Sequence, residues 1–314
     1  MGTNLELVHL KGGPVTDVVR DITDILNVRT VFQFDGGPAT FVSGTVLAYV
    51  QGPSLLKRPL CGSPSAVVAP EHGIYFNAYA WSPDGSAVAY VTSAGSETQI
   101  RILDHGKDRL LAGLPSLSPN HACPYQSCAD QSDIRLLWSP DGKHISLVQN
   151  LGGPSLRVWS MDGAVELSSD AESAFMSAWS GDALYFRDTH GVEVWRGSGE
   201  TLALPGVAWV RPRASPGGGQ IVFATRDGSG MAHVQVLDTR SGATREIAKS
   251  RSEPAFLNSH LVWYQEERPC GPSDNCEAGF KYIASGRTFV YDLQDGSEFE
   301  SVVQSVMDVW PHAA

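Results

Sequence analysis

The sequence predicts an all-β fold of repeated four-strand units, and three observations carry that expectation. Its 314 residues include 32 Gly and 19 Pro, about one residue in six, and so many turn formers disfavour a helical bundle. A turn motif recurs, since Ala80-Trp81-Ser82-Pro83-Asp84-Gly85 returns as Leu137-Trp138-Ser139-Pro140-Asp141-Gly142. Each copy runs into an alternating Val/Ile/Tyr-rich stretch, and no segment carries a convincing helical period.

The elements follow in order from that unit. In Ser-Pro-Asp-Gly, Pro presets φ, Asp bonds nearby backbone and Gly accepts positive φ, so the motif is a tight turn between two strands. Degenerate copies stand at Ala178-Trp179-Ser180-Gly181-Asp182 and Ala214-Ser215-Pro216-Gly217-Gly218. After the turns, Ser86–Val91, His144–Val148, Ala183–Phe186 and Gln220–Phe223 read as second strands. Later β-runs end at Asp104, Gly163, Trp195 and Asp238. Three further units keep the phase. Phe41–Val50 turns at Ser43-Gly44, and Phe256–Tyr264 turns at Asn258-Ser259 with a later strand at Thr288–Leu293. Val306–His312 reads as a first strand with nothing after it. The turns recur about every 45 residues along the whole chain.

A last first-strand without partners, and an N-terminal stretch without a first strand, fit one shared blade. Residues 1–38 then supply its other strands, Leu5–Leu10 among them. The expected architecture is one domain over residues 1–314, a single seven-bladed β-propeller closed by the C-terminal inner strand and the N-terminal outer strands. A six-bladed ring with an N-terminal extension is the alternative.

These repeats, Trp-Ser-Pro-Asp-Gly followed by strands such as Ala87-Val88-Ala89-Tyr90-Val91 and Ile100-Arg101-Ile102-Leu103-Asp104, resemble the WD40-like propeller repeat of TolB-type proteins. Clear copies cover 76–165 and degenerate ones extend to about 40–300. The resemblance implies the fold far more firmly than a function. Its relatives include periplasmic interaction proteins, propeller domains of prolyl peptidases, and sugar-acid lyases with a metal in the channel. A peptidase would need a Gly-x-Ser-x-Gly elbow and a hydrolase domain, and the sequence has no such pentapeptide.

The charge balance, 23 basic against 34 acidic residues, gives a net charge of −11 and argues against nucleic acid as a partner. No run of about 18 apolar residues occurs, so membrane insertion is not expected. The N-terminus as written is not a signal peptide. Cys123 with Cys128, and Cys270 with Cys276, are short pairs in polar segments, while Cys61 stands alone. Local disulfides and an extracytoplasmic compartment are the first reading, a zinc site using both pairs the rival, and free thiols the remainder. A monomer is expected.

In a propeller, loops entering the inner strands and loops between second and third strands emerge together at the channel mouth. That rule gathers Glu71 and His72, then His121, Asp130 and Asp133, then Asp188 and His190, Asp227 and His233, and Glu267, Arg268 and Asp274. The insertions Ser116–Asp133 and Glu266–Gly286 lie there as well, and long ordered loops are often functional. His105, His144 and His260 map to the opposite turns.

Two function classes follow. One is a propeller that binds a small ligand or a protein partner at the channel mouth. The other is a metal-dependent hydrolase or lyase acting on an ester, phosphoester or sugar acid. In that second class His72, His121, His190 and His233 hold one divalent ion (zinc, manganese or calcium), and Asp188 or Asp133 completes the catalytic centre. The bland reading is that these His are solvated loop residues. Arg135 and Arg211, three residues before the Trp81-like position of their units, are candidates to clamp an anion, with Trp209 beside them. Inter-blade bonding is the competing role for both Arg. Trp81, Trp138, Trp179 and Trp310 are expected to pack between blades, and Asp84 and Asp141 to belong to turns.

Overall fold

Strand signals become seven four-stranded antiparallel sheets. A computed structural model describes the chain except for residues 1–4, 11–15, 36–38, 72, 75–77, 95–96, 115–133, 150–155, 170–175, 198, 275, 277–280, 304–305, 307 and 311–314. Among the described residues no α-helix occurs, and every sheet has four strands.

The chain divides into two compact units. Residues Asp35–Ser177 form one, and Met1–Phe34 with Ala178–Ala314 form the other. The first unit holds three blades, whose first strands are Ala39–Ser43, Tyr79–Trp81 and Ile134–Trp138. In the second unit, the fourth, fifth and sixth blades start from Ser177–Ser180, Val210–Ala214 and Arg251–Phe256. In its remaining sheet Asp308–Trp310 is the first strand, followed in space by Leu5–Leu10, Thr16–Asp21 and Arg29–Asp35. Leu5 pairs with Trp310 and Leu7 with Asp308, so both ends of the chain share one blade, as the repeat phase required. The fold is an all-β propeller with seven blades, and no blade is left for the six-bladed alternative.

Burial explains the strand composition. Ser177–Ser180 is buried at every position and Ala183–Arg187 at all but its last, so both sheet faces are covered. Fourth strands face water, as in Thr244–Lys249. Apolar clusters run across blade boundaries inside each unit. One joins Ala89, Val91 and Ile100 of the second blade to Leu136, Ile145 and Trp159 of the third, with Trp138 against it. Another joins Val222, Val234 and Val236 of the fifth blade to Val262, Tyr264 and Phe289 of the sixth. Each fully buried aliphatic or Phe side chain contributes roughly 1.5–3 kcal/mol relative to exposure. Trp179 meets Trp195 edge-on at 6.0 Å, and Trp81 lies under Lys57 Nζ, 3.9 Å from the ring centroid.

The repeated motif is a buried clamp. The Gly85 amide donates to the Ser82 carbonyl at 2.8 Å, with Pro83 and Asp84 between them, and Gly85 sits at φ +70°. Ser82 Oγ donates to Asp84 Oδ1 at 2.6 Å and accepts from the Ala87 amide at 2.9 Å. Ser139 repeats this with Asp141 at 2.7 Å and the His144 amide at 2.9 Å. In the fifth blade Ser215 Oγ accepts from the Gln220 amide at 3.1 Å. In the sixth, Asn258 Oδ1 takes the amides of His260 and Leu261.

One expectation changes. The region 266–286 is not one long loop. Leu261–Pro269 and Tyr282–Asp292 continue the hairpin, with Glu267 opposite Ala284 and Arg268 opposite Ile283. A register shift between Gln265 and Glu267 absorbs the irregularity, so pairing resumes beyond it. Cys270 and Cys276 form the expected disulfide near the tip. Arg268 forks onto Asp274 at 2.5 and 2.8 Å there. Cys61 is an exposed free thiol, and the Cys123/Cys128 pair lies outside the described residues.

Candidate functional site

Two equivalent kinks shape the first strands of the fifth and sixth blades. Pairing of Val210–Ala214 breaks between Val210 and Arg213, and pairing of Arg251–Phe256 breaks between Ser252 and Ala255. Each break holds a buried proline, Pro212 or Pro254, which has no N–H to give the ladder. The residue before each proline is left-handed, Arg211 at φ +50° and Glu253 at φ +55°. Such a conformation costs a residue with a Cβ roughly 1–2 kcal/mol, and bulges of this kind re-aim side chains.

The re-aimed side chains meet. Arg211 Nε lies 2.8 Å from Glu253 Oε2, with 45% and 33% of the two side chains exposed. Burial pushes the Glu253 carboxyl above its ordinary value, against Arg211 and Arg213. Arg213 lies two residues further along the strand than Arg211. Burial, and then the Arg211 guanidinium, push it down, against Asp308 and Glu253. Arg213 and Glu253 are thus crowded by protein while part of each stays open to solvent. Accessible surface decides how far water screens the Arg211–Glu253 pair, so its worth is that of an exposed pair, about 0–1 kcal/mol.

Arg226 closes the neighbouring gap. Its Nη1 and Nη2 donate to Glu267 Oε2 and Oε1 at 2.9 and 2.7 Å, a fork–fork pair joining the fifth and sixth blades. That hydrogen bonding raises the Arg226 pKa despite burial. Arg187 plays the matching role one blade earlier, donating to the Trp209 carbonyl at 3.2 Å.

Asp188 and Asp227 each bond within their own loop. Asp188 accepts the His190 and Gly191 amides at 2.7 and 3.1 Å, and the His190 ring sits 3.0 Å from its Oδ2. Burial pushes Asp188 up, but these bonds outweigh it and hold the carboxyl below its usual value. Asp227 holds its own loop, accepting from Ser229 and Met231 amides at 2.8 and 3.0 Å. His233 lies between Asp227 at 3.2 Å and Glu246 at 2.8 Å. Each Arg-Asp loop therefore engages its own histidine. Among the described residues no three His, Cys, Asp or Glu side chains gather as metal ligands. His72, His121 and Asp133 lie outside the described residues. Arg135 Nη1 reaches the Ser177 carbonyl at 3.4 Å. Trp209 is fully buried against Phe223, ring centroids 5.4 Å apart, which closes it to a ligand. Arg213 and Glu253 are the residues that sequence reasoning missed. The available signal was the recurrence of Arg211-Pro212 and Glu253-Pro254 at one phase of neighbouring units.

Solved structures share this architecture. TolB from Acinetobacter baumannii superposes with a TM-score of 0.53 at 14% identity, over 98% of this chain and 65% of that one. The chain has the β-propeller fold that this TolB also has. This chain matches a little under two thirds of that protein's length. The β-propeller domain of the Trilobed protease from Pyrococcus furiosus gives a TM-score of 0.50 at 11% identity, over 94% and 84% of the two chains. No protein-family model and no curated relative matches the chain. At such identities the likeness is one of fold alone, so the propeller's chemistry has to be argued from its own residues.

Proposed function

We propose that this chain is an extracytoplasmic binding propeller, with residues 1–314 as one domain. Its ligand, a small molecule or a segment of a protein partner, docks where the first strands of the fifth and sixth blades begin. The observation that carries this reading is the matched pair of left-handed residues, Arg211 and Glu253, on adjacent strands. Backbone strain persists where something over-determines it, and such outliers cluster at sites that hold ligands. The Cys270–Cys276 disulfide supports an oxidising compartment.

The test is a thermal-shift screen of neutral, cationic and anionic small molecules on the purified chain, run with and without EDTA. Saturable stabilisation that EDTA does not alter supports the binding reading. A bound divalent metal together with EDTA-sensitive turnover of an ester, phosphoester or sugar acid would replace it with the enzyme reading.

A further inference from the structure

We propose that His233 is a pH-operated latch. With both ring nitrogens protonated it ties the Asp227–Met231 turn of the fifth blade to that blade's fourth strand, and the turn so held braces the long hairpin of the sixth blade. Loss of one proton frees the turn and loosens the brace. The latch needs no ligand, so it stands whether or not the propeller binds one.

The number of donors on the ring decides what it can hold. His233 lies on the third strand, Ala232–Asp238, and 16% of its side chain is exposed. Its Nδ1 is 2.8 Å from Glu246 Oε2 on the fourth strand, and its Nε2 is 3.2 Å from Asp227 Oδ2 in the turn. An ionised carboxylate only accepts, and a neutral imidazole donates from one nitrogen alone. Only the doubly protonated ring therefore bonds both. A neutral ring that keeps the shorter bond to Glu246 sets its Nε2 lone pair against Asp227. Lys249, opposite His233 in the strand pairing, stands 3.6 Å from Glu246 Oε1. On the other side Thr225 is opposite His233, is uncharged, and accepts from Gln235 at 3.1 Å. Burial lowers the ring's pKa, but Glu246 and Asp227 outweigh it, so release comes above the ordinary value of 6.5.

The turn moves as one piece. Asp227 Oδ1 accepts the Ser229 and Met231 amides at 2.8 and 3.0 Å, and the Gly230 amide donates to the Asp227 carbonyl at 2.9 Å. None of these bonds uses Oδ2, so the turn keeps its shape when His233 lets go. Its attachment to the sixth blade does not. The Gly230 carbonyl accepts from Arg226 Nη1 at 2.8 Å, and the same nitrogen donates to Glu267 Oε2 at 2.9 Å. A Cβ on Gly230 would lie 3.9 Å from Lys281 and Tyr282, so the turn packs against the returning side of the hairpin. The hairpin base is pinned without any titrating group. There the Ser250 amide donates to the Ala232 carbonyl and the Glu267 amide to the Ser250 carbonyl, both at 2.8 Å. Release therefore acts beyond that pin, where Arg268 and Pro269 pair with Ile283 and Tyr282. His190 gives the contrast. It is 75% exposed and faces one carboxylate, Asp188 at 3.0 Å, which a neutral ring can still serve.

Native-state hydrogen exchange of the full oxidised chain, corrected for the intrinsic pH dependence of exchange, compares about pH 6 with about pH 8.5. In wild type, protection of residues 227–231 and 282–286 should fall about threefold or more, while Val262–Gln265 stays constant. His233→Gln should remove the pH dependence of both segments. Glu246→Gln can turn its amide to donate to Nδ1, which leaves the neutral ring's proton for Asp227, so protection should persist at the higher pH. His190→Gln should keep the wild-type profile. A wild type whose two segments ignore pH overturns the latch. So does a Glu246→Gln chain that loses protection as wild type does, because the ring's donor count would then not be the switch. A change confined to 227–231, with 282–286 unmoved, overturns the brace.

Discussion

Arg211 and Glu253 stand at the same phase of neighbouring blades, each left-handed, each before a buried proline, and joined by a 2.8 Å ion pair. Two costs and one gain meet there. The backbone conformation costs roughly 1–2 kcal/mol per residue with a Cβ, and the half-exposed pair returns about 0–1 kcal/mol. The pair therefore does not by itself stabilise the kink. Pro212 and Pro254, which cannot donate to the ladder, sit buried at the two breaks.

That balance makes Glu253 a test of strain. Glu253→Ala and Glu253→Gly both lose the ion pair, but only glycine relieves the left-handed penalty. Glycine is expected to leave the protein about 1 kcal/mol more stable than alanine does, net of its larger unfolded-state entropy. Urea unfolding of the two variants measures the difference. Equal stability would mean that the kink carries no strain at this position.

Gly191 is required by a close approach. It sits at φ +141°, and a Cβ there would lie 2.2 Å from the Leu204 carbonyl oxygen and 2.8 Å from the Gly206 nitrogen. Both are backbone atoms, and the Gly206 amide is itself bonded to the His190 carbonyl at 2.8 Å, so neither can step aside alone. Gly191→Ala is expected to cost on the order of 2–4 kcal/mol. Gly181, at φ +60° with open space around it, should lose only about 1 kcal/mol on the same change. Denaturant midpoints of the two variants check the contrast.

His233 makes stability fall with rising pH. Burial pushes its pKa down, but Glu246 and Asp227 on either side outweigh that and raise it above its ordinary value of 6.5. A folded pKa above the unfolded one means that the protonated ring stabilises the protein fully below about pH 6.5. The contribution disappears as pH climbs through the raised folded value. His233→Gln keeps a hydrogen-bonding side chain without the titration, and it should flatten the melting-temperature profile above pH 6. An unchanged profile would assign the slope elsewhere, with His190 beside Asp188 the next group to replace.

The architecture was legible because its signals are local. Trp81-Ser82-Pro83-Asp84-Gly85 and its copies specify a turn from neighbouring residues, and the turn fixes the strands around it. Even the shared blade could be read, since a first strand at 308–310 had no other strands after it. The site was less legible because it depends on departures from alternation. Strict alternation puts Arg211 and Arg213 on one face of their strand, but pairing breaks between Val210 and Arg213, so alternation no longer tells where either side chain goes. Loop position alone carried the reading of the histidines. Position along the chain indicates which end of a blade a loop occupies, and says nothing of whether its own aspartate already holds the ring, as Asp188 and Asp227 do.

The repeated turn also predicts acid sensitivity. Asp84 is held down to about 2, first by the Ser82 hydroxyl and then by the Ser86 amide and hydroxyl. Its folded pKa lies below the ordinary value of 3.8, so its contribution is complete above about pH 4 and is lost as pH falls toward 2. Asp274 behaves alike, held to about 2 by Arg268 and the Gly271 amide. Asp84→Asn keeps an acceptor for Ser82 and Ser86 but cannot titrate. It should therefore cost stability at pH 5, where the carboxylate bonds are strongest, and cost progressively less toward pH 2.5. Melting curves of wild type and Asp84→Asn at both pH values give the result, because a gap between them that does not narrow in acid would detach the clamp from the charge of its aspartate.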